Sequence, residues 1–133
     1  MSRSRKTAKD AGTRFETNIV TYLQQRVNPL IERRRTSGNK DRGDITGWHW
    51  SGMRIVAECK DYGGQIKAGP WLAEAETERA NDDADIGLVI PKRRGALPHL
   101  RRCPARGITD AAKQYVLMEL STLVDLMNGG RDA

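Results

Sequence analysis

Asp44, Glu58 and Lys60 are the residues of this chain whose types and spacing could do chemistry together. They lie in TSGNKDRGDITGWHWSGMRIVAECK, residues 36–60, where an Asp opens one short strand pattern and Glu-x-Lys closes the next across a turn. Two carboxylates on adjacent strands bind a hard divalent cation through oxygen. Mg²⁺ suits such a site, with Mn²⁺ as a substitute, because it takes only one or two protein carboxylates and completes its shell with water and substrate phosphate. The cation would stabilise charge on a scissile phosphate and lower the pKa of a bound water. Lys60 would orient or help deprotonate that water and offset phosphate charge. The pattern reads as a metal-dependent nuclease centre. An isolated Glu-x-Lys would carry little, since a solvated pair on an amphipathic hairpin explains it equally well.

The elements that position these residues follow from strand periodicity. Side chains alternate faces along a strand, so Glu58 and Lys60 share one face roughly 7 Å apart, while Cys59, Ala57 and Ile55 point to the other. Whether Asp44 joins Glu58 depends on the turn, because a one-residue slip moves every side chain of a strand to the opposite face. A two-residue Ser51-Gly52 loop pairs Trp50 with Met53 and sets Asp44 opposite Cys59. A three-residue Trp50-Ser51-Gly52 loop pairs His49 with Met53 and sets Asp44 opposite Glu58. The second loop needs a left-handed residue in its last position, which Gly52 supplies, so converging carboxylates are expected. Trp48 and Trp50 are then expected on the Asp44 face, Trp48 in the core and Trp50 packed at the turn.

Gly43-Asp44 followed by a strand ending in Glu58-Cys59-Lys60 resembles the PD-(D/E)XK nuclease superfamily. With Ser37-Gly38-Asn39-Lys40 and Glu16 upstream, the chain is similar to the archaeal-type Holliday junction resolvases, which also occur in phages. The resemblance covers roughly residues 11–92, and its specificity comes from the ordered set rather than from Glu-x-Lys alone. The superfamily's proline is replaced by Gly43. The resemblance implies a restriction-endonuclease-like core and a metal held by Asp44, Glu58 and the backbone carbonyl of Cys59. It further implies that Glu16 completes the metal site through water and that Ser37 and Gly38 touch the DNA backbone near the cut. A homodimer is also implied, since symmetric cutting of a junction needs two centres, which two-fold symmetry supplies.

Composition bounds the partner class. The chain has 133 residues, 23 Lys and Arg against 17 Asp and Glu, and a net charge of +6. That length suits a single layered domain over 12–133 after a disordered basic arm at 1–11. The charge points to an anionic partner, without separating DNA from RNA or an anionic membrane. No apolar run approaches the roughly 18–20 residues that span a bilayer, so a cytoplasmic protein is expected, in the host cytoplasm if phage-encoded. Cys59 and Cys103 form no metal-ligand or disulfide pattern. No Gly-rich nucleotide loop is present, so no nucleotide cofactor is expected.

Along the chain, Thr13-Arg14-Phe15-Glu16 fits a capping box opening a helix that ends before Pro29. Glu16 shares a stripe with Ile19, Val20 and Leu23, at the edge of the buried face. Leu30 to Arg35 reads as a short strand. Arg33, Arg34, Arg35, Lys40 and Arg42 surround the proposed centre, and Lys67 follows in a Gly-rich connection. Pro70 to Asn81 reads as a helix with inner residues Leu72, Ala73, Glu76 and Ala80. Glu74, Glu76 and Glu78 form an acidic solvated face, from which one further metal ligand could come. Asp85 to Pro91 reads as a buried strand reached by a parallel crossover. Residues 92–106 carry Lys92, Arg93, Arg94, Arg101, Arg102 and Arg106 with no acid, a basic loop suited to phosphates. Tyr115 to Leu120 reads as a strand, and Ser121 as the cap of a final helix through Met127.

The expectation is an α/β fold, a mixed central sheet flanked by helices. It is that of a Mg²⁺-dependent endonuclease acting on DNA, in particular branched DNA such as four-way junctions. Another nuclease of the same superfamily, of restriction or exonuclease type, and a non-catalytic nucleic-acid-binding module are the competing readings.

Overall fold

The computed structural model describes residues 4–34, 42–93 and 111–129. Helix α1 spans Arg5–Arg26. Ser4 is its N-cap, and the Ser4 Oγ accepts the Thr7 N–H at 3.1 Å, satisfying one of the donors that a helix start leaves open. The helix thus begins two turns before Thr13. Residues 5–11, expected to be an arm without structure, are helical, and Ala11 is already buried. The helix stops at Val27, whose N–H still reaches the Leu23 carbonyl, and Pro29 follows.

Four strands form one sheet in the order β1 (Glu32–Arg33), β2 (Ile45–Trp50), β3 (Met53–Lys60) and β4 (Ile86–Pro91). The first two pairings are antiparallel, and β3 pairs with β4 in parallel through helix α2 (Ala68–Asn81). The mixed sheet flanked by helices agrees with the sequence reading. The first strand is shorter than expected, only Glu32 and Arg33 meeting their partners Thr46 and Ile45.

The core lies mainly on the α1 face. Phe15, Ile19, Val20 and Leu23 pack against Ile31, Ile45, Ile55, Ala57, Ile86, Leu88 and Ile90. Fully burying one large aliphatic or aromatic side chain contributes about 1.5–3 kcal/mol, so this layer dominates the stability. The other face is thinner: Trp71, Ala75 and Val89 form its cluster. Helix α2 lies close because a Cβ at Gly87 would stand 2.7 Å from the Ala75 carbonyl oxygen. Its buried positions are Trp71, Ala75 and Glu78, not the expected Leu72, Ala73, Glu76 and Ala80. A glutamate on the inner face breaks the apolar periodicity from which that face would be read.

Arg34 and Arg54 both reach the Asp82 Oδ2, at 2.8 and 2.9 Å, and tie β1 and β3 to the end of α2. Beyond β4, residues 115–120 do not form the expected strand. Leu117 makes a single antiparallel bridge to Val89. Helix α3 (Leu120–Met127) then begins after Glu119, so Ser121 lies inside it rather than capping it. Of its apolar residues Leu126 packs against the main core, while Leu120, Leu123, Val124 and Met127 stay exposed. Among the described residues, no helix is long and apolar enough to cross a membrane.

Candidate functional site

Two departures from regular pairing decide where Asp44 falls. The hairpin closes through a two-residue loop, with Trp50 opposite Met53 and positive φ at both Ser51 (50°) and Gly52 (80°). That is the backbone signature of the tight turn that matches strand twist, and the expected three-residue loop is not formed. Continued regularly, this register would set Asp44 opposite Cys59. It does not continue. Trp48 faces Ile55 but Ile45 faces Ala57, so Thr46 and Gly47 together oppose Val56 in a β-bulge. Gly47 adopts φ +79°, and a Cβ there would stand 2.5 Å from the Leu30 carbonyl oxygen. The ladder ends at Ile45 opposite Ala57; counted one position further, the extra residue restores the register that the shorter turn removed and brings Asp44 to the Glu58 position. It also separates Asp44 from the face shared by Trp48 and Trp50, contrary to expectation. Trp48 packs against the main core as expected, but Trp50 is 58% exposed rather than packed at the turn.

Asp44 is anchored by backbone. Its N–H donates to the Ala57 carbonyl at 2.9 Å, and its Oδ2 accepts the Cys59 N–H at 2.8 Å. Glu16 approaches from α1 and pairs with Arg33 Nε at 2.9 Å. Burial raises the Glu16 pKa, with the Arg33 charge and hydrogen bond opposing it in part. Burial likewise pushes the Cys59 thiol well above its usual range, and the charges of Asp44, Glu16 and Glu58 push the same way. That thiol therefore senses all three acids expected at the centre.

On the α2 face, Lys60 has only 8% of its surface exposed. Its ammonium stands 2.6 Å from the Glu74 Oε2 and 3.5 Å from the Glu58 Oε1. The Tyr62 and Trp71 rings lie 5.9 and 6.0 Å from it. Burial favours the neutral amine, but the Glu74 hydrogen bond and the Glu58 and Glu74 charges outweigh it and hold the Lys60 pKa above the usual lysine value. These contacts favour the ammonium form of Lys60. Of the roles read for it, orienting a water and offsetting charge suit an ammonium.

Among the described residues, the acids whose ligand atoms gather within 4.8 Å of one another are Glu58, Glu74 and Glu78. Asp44 and Glu16, expected as metal ligands beside Glu58, are outside that trio. Glu74 and Glu78 lie one turn apart on α2 and face the sheet, whereas Glu76 faces outward and pairs with Arg79 at 2.6 Å. The Arg79 hydrogen bond, with its charge, lowers the Glu76 pKa against a slight opposing effect of burial. Three carboxylates from a strand and a facing helix form an all-oxygen donor set that could hold a metal ion and suits a hard divalent cation. The sequence signal for this was the spacing of Trp71, Glu74, Ala75 and Glu78, which share one helical face. Gly43 lies against this group, the position of its absent Cβ being 3.6 Å from the Glu78 Oε2.

The basic residues expected to meet DNA differ in their surroundings. Arg33 and Arg34 are engaged within the chain, by Glu16 and Asp82. Arg93 stacks on Tyr115 at 4.4 Å, and its N–H donates to the Gln114 Oε1. Arg42 and Lys67 are exposed. Lys92, half-exposed, is 3.8 Å from the Asp61 Oδ2. Ser37, Gly38, Arg35, Lys40, Arg94, Arg101 and Arg102 lie outside the described residues. No protein family, curated protein or solved structure matches the chain.

Proposed function

We propose that this chain is a metal-dependent DNA endonuclease with a restriction-endonuclease-like core, similar to the PD-(D/E)XK enzymes. The observation that supports the reading is the bulged register at Gly47, which, counted one position past the Ile45–Ala57 pair, brings Asp44 toward Glu58 and the buried Lys60. Like charges brought together are costly unless offset, and Glu58, Glu74 and Glu78 gather within 4.8 Å of one another with the Lys60 ammonium against the first two. Such a group is explained by cation binding more readily than by stability.

Glu58 would hold Mg²⁺ or Mn²⁺, with Asp44 on one side and Glu74 and Glu78 on the other. When bound, the cation supplies charge stabilisation at the scissile phosphate and a more acidic water. Lys60, kept charged by Glu74 and Glu58, offsets phosphate charge and orients a water by donating to it. Cys59 holds the Asp44 carboxylate in place through its backbone N–H. Glu16 adds a further carboxylate at the edge of the same strand end. Ser37 and Gly38 would contact the DNA backbone next to the cut. Four-way junctions are the proposed substrate and a homodimer the proposed assembly, because paired symmetric incisions require two centres.

The test is cleavage of an end-labelled four-way junction beside a linear duplex of matching sequence, with and without Mg²⁺, for the wild type and Asp44→Asn. Paired metal-dependent nicks near the branch, absent from the duplex and from the variant, are expected. Equal cutting of both DNAs would keep the nuclease and remove the junction. Tight binding with no cutting in Mg²⁺ or Mn²⁺ would leave a binding module.

A further inference from the structure

Helix α1 is longer than the core it serves. Its buried residues begin at Ala11, while residues 5–10 are all exposed. At Phe15 the helix crosses the carboxyl end of the sheet, where the Lys92 ammonium stands 6.0 Å from the Phe15 ring. At Glu16 it reaches Arg33 and comes near enough to Cys59 for its charge to act on the thiol. The turns before these residues therefore project past the end of the sheet that carries Asp44, Glu58 and Lys60.

Those turns are not featureless. Arg5, Lys9, Gly12 and Glu16 follow at intervals of four, three and four residues, which places them on one stripe of the helix. From Arg5 to Glu16 the stripe is about 16 Å long. Between the cations and the acid lies Gly12, where an added Cβ would meet nothing within 4 Å. Glycine is among the least favourable residues for a helix interior, and packing among the described residues does not call for it here. A bare backbone between two cations and the candidate centre suits close approach by something outside the chain.

We infer that the stripe Arg5–Lys9–Gly12 is a track for a nucleic-acid phosphate backbone, leading one strand along α1 toward Glu16. Arg5 and Lys9 bind successive phosphates, and Gly12 lets the strand lie against the helix. The track rests on the nucleic-acid reading proposed above, and it needs no metal and no chemistry.

The test is binding of a fluorescently labelled four-way junction in EDTA, followed by anisotropy between about 50 and 200 mM salt. Removing one cation that neutralises a phosphate lowers the slope of log affinity against log salt by roughly 0.9, so Arg5→Ala with Lys9→Ala should lower it by about 2. Arg14→Ala, on the opposite side of the helix, should leave the slope unchanged. Gly12→Leu should raise the melting temperature, because leucine is the better helix former, and yet weaken binding. Opposite signs for stability and affinity are not expected of a structural role. An unchanged slope in the double variant, an equal reduction in Arg14→Ala, or unimpaired binding by Gly12→Leu would overturn the track while the nuclease reading stands. No binding by the wild type would overturn both.

Discussion

The two faces of β3 are built on different terms although they share a backbone. Ile55 and Ala57 point to the α1 side and are 4% and 0% exposed within a continuous apolar cluster. Val56 begins the other side in the same manner, but Glu58 and Lys60 follow and meet Glu74 and Glu78 across the gap to α2. Apolar burial on the first face supports the fold. On the second, desolvating Lys60, Glu58 and Glu78, with Glu74 still half-exposed, contributes little or costs stability, since removing ions from water offsets most of their mutual attraction. A strand stabilised on one side can carry a costly arrangement on the other.

The contrast can be broken first by stability. Leu88→Ala, on the apolar face, should cost about 2–5 kcal/mol in denaturant unfolding. Glu78→Gln, equally buried on the charged face, should change stability by less than about 1 kcal/mol, because it removes repulsion together with attraction. Equal losses would mean that the acids are structural.

A second, smaller effect is expected at the bulge. Gly47→Ala places a Cβ against the Leu30 carbonyl at a positive φ and should cost about 1–3 kcal/mol. In the same variant, cleavage should fall further than stability does, because Asp44 depends on the bulge for its place beside Glu58. Retained cleavage in a folded Gly47→Ala protein would detach the site from the register.

The smallest effect sits at Cys59, on the α1 side of the same strand. Its thiol pKa is raised in the folded chain by burial and by the three surrounding carboxylates. A group with a raised folded pKa contributes stability that is fully present below its unfolded value and lost as pH rises through the folded one. Stability should therefore decline as pH rises above about 8.5, the ordinary cysteine value, and Cys59→Ala should reduce that decline. Iodoacetamide should label native Cys59 slowly at pH 8, and faster in folded Asp44→Asn, where one of the three charges is gone. Labelling unaffected by Asp44→Asn would separate Asp44 from the thiol.

Much of this arrangement is legible in the sequence, but not always for the reason read. A three-residue turn is the expected route by which Asp44 meets Glu58, whereas the molecule has a two-residue turn and a bulge that give the same count. Two errors of one residue cancel. A non-glycine in left-handed conformation at Ser51 is hard to foresee, whereas an isolated glycine inside a strand pattern, as at Gly47, is a bulge signal. The early start of α1 is hidden because its first turns carry no apolar periodicity and a second capping motif stands at Thr13. Glu74 and Glu78 are hidden for a related reason. Periodicity finds apolar faces, and here the inner face of α2 is half acid.

The most direct measurement is calorimetric titration of Mn²⁺ into the wild type, Glu58→Gln and Glu76→Gln, with no DNA present. The account predicts one saturable binding event in the wild type, retained in Glu76→Gln because that side chain faces Arg79 and solvent, and abolished in Glu58→Gln. Absence of binding in the wild type, or binding that survives Glu58→Gln unchanged, would contradict the claim that the charged end of β3 is a metal centre.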